Sequence, residues 1–500
     1  MALLHNPKNV LSFRQFRENI ARSSLIVAKH YLKQTNWRDL IAKNMIISFS
    51  VSNFRSFSSE ETLSLVSIKR LAGQHDNHTV PIPDSREEVL KTSVIYGANG
   101  AGKSNLFKAL SHLKTAILKP RKKNSGTGRD VFRFADESNT PSGFDLQFIA
   151  SGKVYRYGFK MDDHRILEEW LVNVAGNKER IVYERITDNK GKVIIEAPGL
   201  KSEGEKLNAL VTVGGLQNQL FLATILATLD TADISKQLKS IFTWFSKDLT
   251  LISPDSSFGS LGHLLANDEK FCEFAGEFLK ASSTGINYLN VTKKEISEDE
   301  LRSLLPEHVT SRLLEEINDD EDQTAVLMID EGKELLIEKS DENHFYSITI
   351  QASHSGHAGH SIPLDLSEES DGTRRLLNLI PALHHLRKKG AVYFIDEIDR
   401  SMHPILAWKF LEFFLKSCEG SQQQVIVTTH ESNLLDLSLL RRDEIWFVEK
   451  DANSSSRLYS MSDFKVRNDL EIRKHYLQGR FGAIPFLGNL DNLLTVEQGQ

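Results

Sequence analysis

The sequence predicts an α/β fold: a mixed β-sheet flanked by helices, interrupted by a mainly helical insertion. Three observations predict it. A short apolar strand runs into the glycine-rich turn GANGAGKS and then an amphipathic helix, within residues 93–110. After residue 361 the pattern alternates helix, buried strand, helix, buried strand, as a parallel layer requires. Between these regions, over residues 205–340, the apolar spacing takes on a helical period.

Composition narrows the function classes. The chain has 500 residues, 40% hydrophobic and 26% charged, with a net charge of −6. That is ordinary globular composition. The acidic balance gives no support for bulk electrostatic binding to nucleic acid, although a local basic groove remains compatible with it. Cys272 and Cys418 are the two cysteines, far apart and without metal-ligand spacing, which excludes a disulfide framework and fits a reducing cytoplasm. No apolar run is long enough to span a bilayer and no signal peptide opens the chain, so a cytoplasmic protein without a membrane partner is expected.

Taken in order, residues 1–44 form a basic extension with an amphipathic helical pattern through Phe13, Phe16, Ile20, Val27 and Tyr31. Met45 precedes a strong strand pattern and reads as the start of the fold. Residues 45–204 form the first half of the head, with strands over 45–70 and 92–96 and a basic, turn-rich loop over 118–130. A hairpin turning at Ser151–Gly152 spans 143–160, and two strands follow, near 166–174 and 180–196. Residues 205–340 read as the insertion, helical at 216–230, 234–247, 268–281 and 298–318, with Asp, Ser or Thr at several helix starts and strands resuming near 324–338. Its acidic run, Glu315, Glu316 and Asp319–Asp322, reads as a solvated helix end or loop. Residues 341–500 form the second half of the head.

The chemistry begins at the glycine-rich turn. Gly97, four residues, then Gly102-Lys103-Ser104 is a complete phosphate-binding loop. Glycines let the backbone wrap and aim N–H groups at phosphate oxygens. The following helix points its positive end at the anion. Lys103 supplies a mobile cation, and Ser104 a hydroxyl for Mg2+. Gly97, Asn99, Gly100, Gly102, Lys103, Ser104 and Asn105 are therefore the candidate nucleotide contacts. Further on, the buried strand Ala391–Ile395 ends at Asp396 and Glu397. A strand-end carboxylate holds the hydrated magnesium and a second orients or deprotonates water, which assigns metal binding to Asp396 and catalysis to Glu397. Val425, Ile426 and Val427 form another strand, ending at Thr428, Thr429 and His430. His430 is the second candidate catalytic residue, placed to contact the γ-phosphate or the attacking water.

In this order the residues resemble the ABC-type ATPases, SMC-like heads included: Walker A at 97–104, a signature segment, Walker B at 391–397, a D-loop and a switch histidine. The signature resembles LSEESDGTRRLL, residues 366–377, in which Asp371 and Thr373 replace the usual Gly and Gln. Ser401-Met402-His403-Pro404 is similar to the D-loop, and Gln147 is the candidate Q-loop glutamine. The stretches MIISFSVSNFRSF, YRYGFKM, ILEEWL, ESDGTRRL, IDEIDRSMHP and YLQGRFGAIPFL together resemble a prokaryotic group that includes the RloA and AbiL-type abortive-infection ATPases, related to the AriA ATPase of the PARIS defence system.

The resemblance implies an ATPase using ATP and Mg2+ as a nucleotide-driven scaffold or sensor in phage defence. It implies homo-oligomers with composite sites, in which Ser370, Gly372 and Thr373 of one chain cap the ATP held by another. It also implies a separately encoded effector, such as a TOPRIM-like nuclease, and a phage-encoded trigger; the chain after His430 is too short for a TOPRIM domain of its own. The alternative is an SMC-like DNA-maintenance or repair ATPase, against which the acidic charge and the lack of sustained heptads count. Of the remaining features, His354, His357 and His360 read as a hairpin loop rather than a metal site, the cations of residues 121–133 as a solvated loop rather than contacts to phosphate backbones, and Arg55 as a surface arginine or a contact to the nucleotide base or the P-loop face.

Overall fold

The computed structural model describes residues 42–134, 140–176, 178–201, 204–254, 261–319, 324–330, 333–339, 344–357, 360–384, 390–417, 422–465 and 471–484. The expectations for residues 1–41, for the acidic run 320–322 and for Cys418 lie outside the described residues. The chain divides into two compact units. Of the described residues, the larger contains those within 42–254, 390–399 and 407–484, and the smaller those within 261–384 and 400–406.

The larger unit is built on two sheets. Strands β1 (Met45–Ser52), β2 (Glu61–Ser64), β6 (Ser142–Ala150), β7 (Lys153–Met161), β8 (Ile166–Ala175), β9 (Lys178–Thr187) and β10 (Val193–Glu196) form an antiparallel sheet, ordered β10-β9-β8-β7-β6-β1-β2. Its alternating pattern is the one the sequence shows, and the β6–β7 turn falls at Ser151 and Gly152, both at positive φ. A small ribbon pairs β3 (Thr79–Pro81) with β4 (Glu88–Leu90). The second sheet joins β5 (Thr92–Tyr96), β11 (Leu249–Ile252), β17 (Val392–Ile395), β18 (Gln424–Thr429), β19 (Ile445–Lys450) and β20 (Ser456–Ser460), ordered β11-β17-β18-β5-β19-β20. All but β20 run parallel. Strands β5, β17 and β18 are buried at every residue, which explains their continuous apolar runs.

Helix α1 (Lys103–Leu118) contributes to the single core that both sheets share. Phe107 meets Phe394 of β17 edge-on at 5.4 Å, and His112 stacks on Phe144 of β6 at 5.3 Å. Gln424 is fully buried in β18 for a physical reason. Its amide accepts from Ile46 N at 2.8 Å and donates to Ile46 O and Leu90 O at 3.0 and 2.8 Å, tying β18 to backbone groups of β1 and β4. Helices α2 (Glu205–Val213), α3 (Phe221–Thr228) and α4 (Lys236–Thr243) also belong to the unit. Buried Glu169 accepts from Tyr157 and Tyr183 hydroxyls and from Phe221 N at the start of α3.

In the smaller unit, β12 (Ile286–Ile296), β13 (Thr324–Asp330), β14 (Lys333–Lys339) and β15 (Phe345–Ser355) form an antiparallel sheet ordered β12-β15-β14-β13, and β16 (Ser361–Asp365) also pairs with β15. Its helices are α5 (Leu261–Asn267), α6 (Glu269–Ala281), α7 (Glu298–Leu304), α8 (Glu307–Asp319) and α9 (Asp371–His384). Helix α10 (Pro404–Ser417) begins in this unit and runs into the larger one. Caps fall where the sequence places Ser and Asp: Ser235 before α4, Asp268 before α6, and a Ser297–Glu300 capping box before α7.

The stretch 205–340 is thus less helical than its sequence reads. Besides its helices and the strands expected near 324–338, which are β13 and β14, it holds β11 and β12, and β11 belongs to the parallel sheet beside β17. The segment expected as one helix over 298–318 is split into α7 and α8 around Leu305 and Pro306. Proline disfavours the helical conformation of its predecessor and itself fits a helix start.

Candidate functional site

The parallel sheet places three chain reversals side by side. Tyr96 pairs with Thr429, and Ile395 with Val427, so β5 and β18 end level with each other and β17 ends two residues earlier on the same edge. Gly97, Asp396 and His430 leave from that edge, where open α/β sheets hold their ligands.

The loop after β5 needs its glycines. Gly100 and Gly102 have φ of 76° and 120°. A Cβ on Gly97 would lie 2.5 Å from Val448 O, and one on Gly102 would collide with Ser456 Oγ. Behind the loop, Ser456 Oγ donates to Ala101 O at 2.6 Å and lies 2.8 Å from Ser56 Oγ, from which it can accept, while Asn105 Nδ2 donates to Ser56 Oγ at 2.8 Å. Asn105, read from sequence as a nucleotide contact, therefore faces the buttress of the loop. Asn99 and Gly100 are exposed on its crest. Lys103 is buried and folds back on the loop, donating to Gly97 O at 2.6 Å and Ala98 O at 3.2 Å. Burial holds its ammonium below the usual lysine range, against the opposing pull of Glu397, Asp399 and Asp396.

Thr428 organises the acidic side. Its hydroxyl donates to Asp396 Oδ1 at 2.5 Å and accepts from Glu397 N at 2.8 Å. Asp396 is 2% exposed. Glu397 has φ of 48°, a left-handed conformation uncommon for a residue with a Cβ. Such strain persists only where the surroundings enforce it, and it collects at functional sites. Asp399 accepts from Thr429 Oγ1 at 2.7 Å and lies 3.1 Å from His430 Nε2. The sequence places Thr428 and Thr429 at the strand end without showing this wiring, because partners about thirty residues apart leave no local pattern.

Ser104 and Asp396 fit magnesium by donor chemistry. Both offer oxygen, and Mg2+ takes few protein ligands besides phosphate oxygens and water. Among the described residues no cluster of three or more His, Cys, Asp or Glu suits a metal ion, His354, His357 and His360 included. The structure does bring an acid to that histidine loop: His354 Nε2 lies 2.5 Å from Glu369 Oε1.

The signature turn lies in the smaller unit. Ser370 Oγ accepts from Thr373 N at 3.2 Å and lies 2.9 Å from Thr373 Oγ1, capping α9. Ser370 is exposed, whereas Thr373 is buried. A Cβ on Gly372 would lie 2.5 Å from Ser401 O, so the turn abuts the first residue of the D-loop segment.

Gln147 sits in mid-strand on β6, opposite Ser48 and Arg156. Arg55 pairs with Asp130 at 3.1 Å beside a cavity of about 300 Å³ that Lys108, Ser111 and His112 of α1 also line. In the basic loop Arg129 is held by Asp163 at 2.9 Å and Arg133 by Asp130 at 3.4 Å, which leaves less free positive charge than the sequence suggests.

A glycine cradle, a buried lysine and strand-end carboxylates on one sheet edge define a P-loop nucleotide-binding α/β protein. The chain belongs to the family described as "AAA domain, putative AbiEii toxin, Type IV TA system", whose model matches residues 93–192 and 230–436. No curated protein matches. Among solved structures, an SMC head bound to the C-terminal winged-helix domain of ScpA is similar at 13% identity, covering 83% of this chain and 97% of that one, with a TM-score of 0.33. The SMC head domain of Thermotoga maritima is similar at 12% identity, covering 83% and 98%, with a TM-score of 0.33. An SMC head bound to a ScpA C-terminal domain from Pyrococcus furiosus is similar at 14%, covering 87% and 99%, with a TM-score of 0.33. No helix of the described residues is long and apolar enough to cross a membrane.

Proposed function

We propose that this chain binds and hydrolyses ATP, and that it uses the cycle as a switch in cytoplasmic anti-phage defence. The observation that carries the ATPase reading is the Thr428 hydroxyl. It fixes Asp396 and Glu397 together, one strand away from the P-loop. Lys103 exchanges the Gly97 and Ala98 carbonyls for phosphate oxygens. Ser104 and Asp396 hold Mg2+, which neutralises charge on the phosphates. Glu397 orients or deprotonates water, and His430 contacts it or the γ-phosphate. Arg55 is the residue proposed to meet the base.

The AbiEii toxin and type IV TA system named in the family description support a defence role resembling that of the RloA, AbiL and AriA ATPases. In that role two chains share each nucleotide. Ser370, Gly372 and Thr373 of one cap the triphosphate on the loop of the other, and hydrolysis weakens the pair. The pair holds or releases a separately encoded effector, through contacts placed in residues 205–340, in response to a phage-encoded trigger. Light scattering with Mg-ATP tests the switch. E397Q should form a stable pair and K103A should stay single; equal masses for the two variants would sink it.

A further inference from the structure

The acidic segment carries a carboxylate to which this mechanism gives no part. Asp399 has a side chain only 5% exposed, whereas that of His430 is 55% exposed. Its two oxygens are divided between neighbours on β18 and just beyond. Oδ1 accepts from Thr429 Oγ1 at 2.7 Å, and Oδ2 lies 3.1 Å from His430 Nε2. Thr429 is fully buried, and its hydroxyl also accepts from Glu431 N at 2.9 Å, so this anchor is itself fixed. Of the two ring nitrogens Nε2 is the one that faces the carboxylate, at ion-pair distance, and the negative charge there favours the ring hydrogen on Nε2. A neutral imidazole then keeps its lone pair on Nδ1.

We propose that Asp399 is a positioning residue for His430. It fixes both the ring direction and the tautomer, leaving Nδ1 as the atom offered to the γ-phosphate or to its attacking water. A half-exposed histidine otherwise samples several rotamers and both tautomers, and each sampled alternative subtracts from the reactive population. The Thr429–Asp399–His430 series parallels the bonds Thr428 makes to Asp396 and Glu397. Consecutive threonines of one strand end would thus set separate parts of the site. The proposal rests on the reading that His430 serves hydrolysis.

The test is steady-state phosphate release by the full chain with Mg-ATP, comparing wild type, D399N, H430A and the double variant. D399N should lower kcat by about 10- to 100-fold with KM little changed, because Asn offers a single acceptor oxygen for two donors. The double variant should be no slower than H430A alone. If the two losses multiply, Asp399 acts independently of His430 and the proposal is overturned. If H430A is as fast as wild type, it is overturned from the other side, and the roles of Lys103 and Glu397 stand untouched. Should D399N fold poorly, T429V removes the other anchor and should show the same non-additivity with H430A. A readout independent of turnover is the nitrogen spectrum of the His430 ring in nucleotide-free protein. The hydrogen should sit on Nε2, and a ring carrying it on Nδ1 overturns the proposal whether or not the chain hydrolyses ATP.

Discussion

Replacing Thr428 by valine isolates the bond system at the centre of the site. The two side chains have nearly the same shape, and position 428 is fully buried, so packing is retained while one hydroxyl is lost. That hydroxyl serves Asp396 Oδ1 at 2.5 Å and Glu397 N at 2.8 Å. A hydrogen bond to a charged acceptor contributes about 1.5–3 kcal/mol, and a buried N–H deprived of its acceptor costs about 1–3 kcal/mol. One atom makes both bonds, so the losses overlap, and T428V should destabilise the chain by about 2–4 kcal/mol in urea unfolding. The effect on turnover follows from Glu397. Its left-handed backbone, at φ 48°, stores about 1–3 kcal/mol that this bond helps to hold. Released, the carboxylate moves, and a displacement near 1 Å costs about 100-fold in rate. T428S keeps the hydroxyl and should keep most of the turnover. If T428V releases phosphate as fast as wild type and unfolds at the same urea concentration, the link from Thr428 to the acidic pair has no functional weight and the reasoning fails.

Other perturbations test neighbouring parts of the structure. G372A puts a methyl 2.5 Å from Ser401 O, so the signature turn must shift; ATP-driven pairing in scattering should be lost while nucleotide binding persists. Q424L removes three buried bonds to Ile46 and Leu90 and should cost about 2–5 kcal/mol in urea unfolding, with little change in the ATPase of the folded fraction. Burial, then the charges of Arg121 and Arg55, lower the His112 pKa from 6.5 to about 4. The fold thus favours neutral imidazole, and the contribution to stability is complete above pH 6.5 and is lost as pH falls toward 4. Between about pH 7 and pH 5, wild type should lose about 2 kcal/mol more than H112F. Equal slopes in paired urea titrations would contradict the burial argument.

What the sequence discloses follows the range of the interactions involved. The loop 97–104 is legible because its geometry is a demand on consecutive residues: glycines where the backbone reverses and a lysine and serine at the helix start. The β6–β7 hairpin is legible for the same reason, since alternation and a two-residue turn are local. Strand β12 is not. Its burial along Ile286–Ile296 is irregular, with six consecutive residues lacking a buried side chain, so no clean period of two appears. Strand β11 is four residues long and gains its identity from β17, residues 392–395, more than a hundred positions away. The same limit separates the two halves of the site. That Asp396 and Glu397 end a buried strand is written in their own neighbourhood. That Thr428 and Thr429 set their geometry, and that of Asp399, depends on β17 and β18 pairing in parallel with Ile395 opposite Val427. A shift of that pairing by one residue would turn alternate side chains to the other face and move both hydroxyls off the carboxylates. The chemistry therefore depends on strand register, which a motif of residue types does not record.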